Sequence, residues 1–147
     1  IQQENYYKYL KNYNLKQFFM NSIKLDFVPY QTALDMKLIG FDEPCFGSIN
    51  KTSNSAYIPS KGGVFINSSF KNDYTIPCAM YSQAFRFFRK KYNLSSWIYN
   101  SDITKFFYTI LQNGRIIKAN NPYKSYEETE FECLKQLIEI VKNKTNE

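Results

Sequence analysis

The sequence predicts an α+β domain: an antiparallel sheet, including a meander over 97–118, packed against helices near 29–39, 79–92 and 126–142. Three observations carry this. Segments 79–92 and 126–142 place apolar residues at helical spacing. Between them, Phe106–Gln112 and Arg115–Lys118 flank Asn113-Gly114, the pair a type I′ hairpin turn selects because both central residues need positive φ. Finally, 147 residues with 44% hydrophobic and 18% aromatic content supply a core without disulfide or metal staples and fit one domain, 1–147.

The elements follow in order. In residues 1–26, Tyr6, Tyr9, Leu10 and Tyr13 keep helical spacing, Phe18, Phe19 and Ile23 extend it, and Asn12–Asn14 interrupt it. This stretch reads as one or two helices forming an N-terminal extension. Pro29 suits a first helical turn, Tyr30, Ala33, Leu34 and Leu38 form a stripe, and Gly40 stands where a left-handed cap is needed, so a helix covers 29–39. Asp42–Pro44 reads as a turn, Cys45–Ile49 as a short strand and Lys51–Ser55 as a loop. Ala56–Ile58 and Val64–Asn67 are strand candidates around a Pro59–Gly63 turn; Phe70–Ile76 is irregular and Pro77 ends it. Tyr81, Ala84, Phe85, Phe88 and Tyr92 stripe the helix over 79–92, which Asn93 caps. Trp97–Tyr99 supplies the first meander strand. In the last helix, Ser125 and Glu128 form a capping box and Phe131, Leu134, Leu137, Ile138 and Val141 line one side. Its early glutamates (Glu127, Glu128, Glu130, Glu132) and late Lys142 and Lys144 suit the helix dipole, which accounts for the acidic tail without any function.

Composition removes whole classes of activity. No apolar run approaches the ~18 residues that span a bilayer. Ile1–Lys24 lacks the apolar core of a secretory leader. Cys45, Cys78 and Cys133 are widely spaced, with no CxxC or zinc pattern, and read as buried thiols of a reducing compartment. A cytoplasmic protein with no membrane association is therefore expected. The chain has no histidine, which excludes Ser-His-Asp and Cys-His nucleophiles, the His general base and most catalytic zinc sites. It also has no P-loop, GxGxxG or GxSxG. Asp42-Glu43 could hold a magnesium ion, but Asp26, Asp35, Asp73 and Asp102 are scattered, and a helix-to-strand turn explains the pair more simply. The expectation is no enzyme, no catalytic residue, no metal and no cofactor.

The positive signal is charge. Residues 51–124 hold eleven Lys or Arg against Asp73 and Asp102, a net +9, whereas 1–50 balance. Arg86, Arg89, Lys90 and Lys91 crowd one helix, with Gln83 one step before Arg86; Lys105, Arg115 and Lys118 lie in or near the hairpin. Such a face can contact phosphates along a nucleic acid, or a partner, with Tyr99, Phe107 and Tyr108 as stacking rings. A solvated helix face above an aromatic core explains the same residues. Likewise Tyr6, Tyr7, Tyr9 and Tyr13, with Lys8 and Lys11, fit either a protein interface or packing on their own domain.

Three blocks carry a resemblance. They are Phe27-Val28-Pro29-Tyr30 through Gly40-Phe41-Asp42-Glu43-Pro44-Cys45, then Gln83-Ala84-Phe85-Arg86-Phe87-Phe88-Arg89-Lys90-Lys91-Tyr92, then Tyr126-Glu127-Glu128 with Cys133-Leu134-Lys135 and Leu137–Val141. In this order and spacing they resemble uncharacterised small proteins of Bacteroidetes-type phages and mobile elements. Phe87 departs from the Trp expected there, and Lys51–Tyr74 and residues 1–26 lie outside the match. The resemblance implies a setting, the cytoplasm of an infected bacterium, and carries no catalytic residue. It implies a non-enzymatic protein that binds and inhibits a host defence ribonucleoprotein or nuclease, such as an anti-CRISPR acting on a type VI-B effector. The alternative is a stand-alone RNA- or DNA-binding accessory protein using the basic helix face.

Overall fold

The computed structural model describes residues 26–54, 56–59, 63–65 and 74–145. The helical extension expected over 1–25, its tyrosine cluster, and the strand positions 66 and 67 lie outside the described residues. The order is α1 (Tyr30–Leu38), β1 (Gly47–Asn50), β2 (Ala56–Tyr57), β3 (Thr75–Cys78), α2 (Tyr81–Tyr92), β4 (Leu94–Asp102), β5 (Lys105–Gln112), β6 (Arg115–Ala119) and α3 (Tyr126–Thr145). Among the described residues, two three-stranded antiparallel sheets, ordered β2-β1-β3 and β4-β5-β6, pack against three helices, so the α+β class is as expected.

Caps fix the helix ends. After α1, Gly40 adopts φ +85°, its N–H donates to Lys37 O (3.0 Å), and Phe41 N–H donates to Met36 O (2.9 Å). That pair of bonds is a Schellman motif, and the buried Met36 and Phe41 side chains stand at the two positions whose apolar contact usually seals it. At the other end, Pro29 is the N-cap rather than a first-turn residue, and the side chain of Asn54 accepts from Tyr30 N–H at 2.9 Å. Asn93, at φ +53°, ends α2 with its N–H on Phe88 O. Before α3, Ser125 Oγ accepts from Glu128 N–H (3.1 Å), while the Glu128 carboxylate reaches back to Lys124 N–H (3.2 Å), a capping box displaced by one residue.

Three expectations are corrected. The α1 stripe is rotated: Tyr30, Thr32, Ala33 and Met36 are buried, whereas Leu38 is 72% exposed. A helix of only nine residues is turned by its neighbours, here β3 and α3, more than by its own periodicity. On α2, Phe87 joins Tyr81, Ala84 and Phe88 in the core, meeting Phe41 edge-on at 5.1 Å, and Phe85 is half-buried. Pro77 does not end a segment; it lies within β3, opposite Ser48. β3 is an edge strand, where a missing N–H breaks no ladder on its outer side.

The meander runs longer than the 97–118 expected, over 94–119. Asn113 and Gly114, at φ +51° and +75°, form its second turn as the dipeptide predicted. α3 packs on β4 and β5 through Cys133, Leu134, Leu137 and Ile138, all buried with Leu94, Tyr108 and Ile110 of the sheet. Lys142 Nζ bonds Asp35 Oδ1 at 3.0 Å, tying the end of α3 to α1.

Candidate functional site: a basic helix and an aromatic sheet face

Two of the four basic side chains of α2, Arg86 and Lys91, bond back to the chain along the surface, as does Gln83. Gln83 Nε2 donates to Pro44 O (2.8 Å) and lies 3.4 Å from Glu43 Oε2; Arg86 Nη2 meets the same carboxylate oxygen at 2.9 Å. Lys91 Nζ donates to Gly40 O (2.9 Å), over the rings of Phe87 and Tyr92. Three of the five helix residues proposed for binding thus fasten α2 to the α1–β1 connection. The Glu43 carboxylate that sequence offered to magnesium is engaged by the same contacts. Arg89 and Lys90 make no ion pair among the described residues.

Nor does the fold gather the eight predicted residues into one patch. α2 packs on β4, while Lys118 lies on β6, two strands away. Lys105 sits at the end of β5 opposite the 113–114 turn, 3.8 Å from Asp102. Arg115 opens β6 beside that turn. The Asp102 carboxylate accepts from Thr104 Oγ1 (2.7 Å) and Thr104 N–H (2.8 Å), and these bonds, more than Lys105, hold it below its ordinary range.

Arg89 instead faces a cleft of about 310 Å³ between α2, β4 and α3, with Glu130 and Tyr126 among its walls. Burial first, then Asp26 and Glu127, pushes the Glu130 carboxyl up. The three cysteines are buried, and burial pushes the Cys45, Cys78 and Cys133 thiols up to about 12. At neutral pH they are protonated thiols, and the nucleophile is the thiolate.

The surface that sequence reasoning missed is the outer face of the meander. Residues paired across an antiparallel ladder share a face. Leu94, Ser96 and Ile98 pair with Gln112, Ile110 and Tyr108, facing α3. The alternate positions carry Trp97 opposite Thr109, Tyr99 opposite Phe107 and Leu111 opposite Ile116. Trp97 is 63% exposed, Tyr99 51% and Ile116 67%. The Tyr99 and Phe107 rings stack at 5.5 Å and 15°. Tyr108, offered as a stacking ring by sequence, is 2% exposed because it points to the opposite face. Comparison with protein-family models, curated proteins and solved structures found no match.

The signal for this face was present but weak. With Leu94, Ser96 and Ile98 inward, strand alternation sends Trp97 and Tyr99 outward. Both faces of the meander are apolar, however, so alternation does not say which one meets the core. Among the described residues no helix is long and apolar enough to cross a membrane, and no group of three His, Cys, Asp or Glu side chains could hold a metal ion.

Proposed function

We propose that the chain is a non-catalytic binding protein that inhibits a host defence ribonucleoprotein or nuclease, as an anti-CRISPR does, and that its contact surface is the outer face of the 94–119 meander. The observation that carries the choice of surface is the exposure of Trp97, Tyr99 and Ile116 on one sheet face whose other side is packed on α3. Contiguous exposed aromatic and aliphatic side chains of this kind mark interaction sites, and Trp and Tyr dominate binding energy where they are buried by a partner. Protonated thiols, an engaged Glu43 and a sequence without histidine support a role without catalysis. The choice of target rests on the sequence resemblance. The alternative, nucleic acid held on the basic helix, loses support because Gln83, Arg86 and Lys91 already have partners within the chain.

The test adds the purified protein to a type VI-B effector loaded with guide RNA and follows cleavage of a labelled target. Wild type is expected to suppress cleavage, and the double variant Trp97→Ala, Tyr99→Ala to restore it. Full cleavage at saturating wild-type protein overturns the inhibitor reading for that target.

A further inference from the structure

We infer that the outer edge of β4 pairs antiparallel with β4 of a second copy of this chain, so that two meanders join into one six-stranded sheet. The directions of the backbone groups follow from the neighbours of β5. Phe106 exchanges both of its backbone bonds with Tyr123 (3.0 and 2.9 Å), and Tyr108 N–H donates to the Asn120 side chain, all on the β6 side. Bonded and unbonded pairs alternate along an antiparallel ladder, so β4 bonds β5 through Trp97–Thr109 and Tyr99–Phe107. Ser96, Ile98 and Asn100 therefore aim their N–H and C=O groups away from β5. Among the described residues these outward groups have no hydrogen-bond partner. Such a row is a template for another strand.

The two edges of this sheet differ in sequence. β6 carries Arg115 and Lys118, and an extra residue, Ile117, where the register shifts between Ile110 and Leu111. Lysines and bulges blunt an edge against further pairing. Over Leu94–Asn100, β4 has no charge, no proline and no register shift. A two-fold axis at Ile98 makes this stretch complementary to itself. Ile98 then lies opposite the partner's Ile98, Ser96 opposite the partner's Asn100, and Trp97 opposite the partner's Tyr99. Polar side chains meet on the inner face. Aromatic rings meet on the outer face, where the Tyr99–Phe107 stack continues the row. Like charges are nowhere brought together over these positions. The contact closes as a dimer, because the joined sheet ends on both sides in the blunted β6. This arrangement stands apart from the choice of target, since the outer rings of both copies stay on one face.

The test follows mass against concentration, by size exclusion with light scattering from about 1 to 200 µM. A rise from monomer to dimer, with no larger species, is expected. Asn100→Pro removes a backbone donor that bonds nothing within the chain and should weaken the dimer at least ~10-fold. Ile98→Cys places two thiols at the axis with Cα atoms about 5.5 Å apart, within disulfide reach. The native cysteines are buried, so under a mild oxidant this variant should give a covalent dimer on a non-reducing gel. Ile116→Cys, exposed on β6, should not. Melting curves establish that each variant is folded; should Asn100→Pro fail to fold, the cross-link decides alone. A monomer throughout the range, a dimer indifferent to Asn100→Pro, or no more covalent dimer from Ile98→Cys than from Ile116→Cys overturns the inference.

Discussion

The outer side of α2 and the outer face of the meander make opposite use of their surface residues. On α2, Gln83, Arg86 and Lys91 spend their donors on Pro44, Glu43 and Gly40, so a run of cations conspicuous in sequence acts as a clamp between elements. On the meander, Trp97 and Tyr99, residue types expected inside, remain outside. Charge in sequence reports what a surface could attract, and the fold decides whether those charges are already neutralised. Aromatic content likewise reports core volume until strand pairing assigns each ring to a face.

The comparison is broken most directly by stability. Phe88 lies on the inner side of α2 and is fully buried. Phe88→Ala should cost ~3–5 kcal/mol in urea unfolding, and Trp97→Ala under about 0.5 kcal/mol. A Trp97→Ala loss as large as that of Phe88→Ala would mean the outer face supports the fold rather than a partner.

Arg86 gives a smaller contrast. Its bond to Glu43 is partly solvated, with side-chain exposures of 49% and 30%, so Arg86→Gln should destabilise by about 1 kcal/mol or less, and less still in high salt. If the same change instead leaves the midpoint untouched and weakens oligonucleotide binding, α2 carries a binding face after all.

Glu130, which lines the same cleft as Arg89, sharpens the picture with the smallest effect. Its carboxyl is raised above 4.5, so the folded chain holds that proton to higher pH than the unfolded chain does. The stabilisation is complete below the unfolded value and is lost as pH rises through the folded one. Glu130→Gln should therefore raise the melting temperature at neutral pH, an advantage that vanishes as pH falls through 4.5. A melting temperature that drops at neutral pH would show that Glu130 is held by an attractive contact, with Arg89, which lines the same cleft, the candidate.

Local chemistry was legible where it is settled within a few residues. Gly40, Asn93, Asn113-Gly114 and Ser125 each do what their types predict, because positive φ and capping bonds involve only neighbours along the chain. The long apolar stripe of α3 was legible for the same reason: twenty residues average out individual exceptions. Residues decided at long range were misassigned. Leu38 and Phe87 changed sides because α1 and α2 are rotated by β3, α3 and Phe41. Pro77 sits in a strand because that strand is an edge.

By itself, the sequence determined an α+β chain with an Asn-Gly hairpin, helices near 29–39, 79–92 and 126–142, and no histidine chemistry. Only the tertiary structure decided which cations are occupied and which aromatic rings face outward. Both depend on elements that meet across tens of residues, such as Glu43 with Arg86 and Tyr99 with Phe107, and spacing along a helix or strand carries no information about a partner on another element.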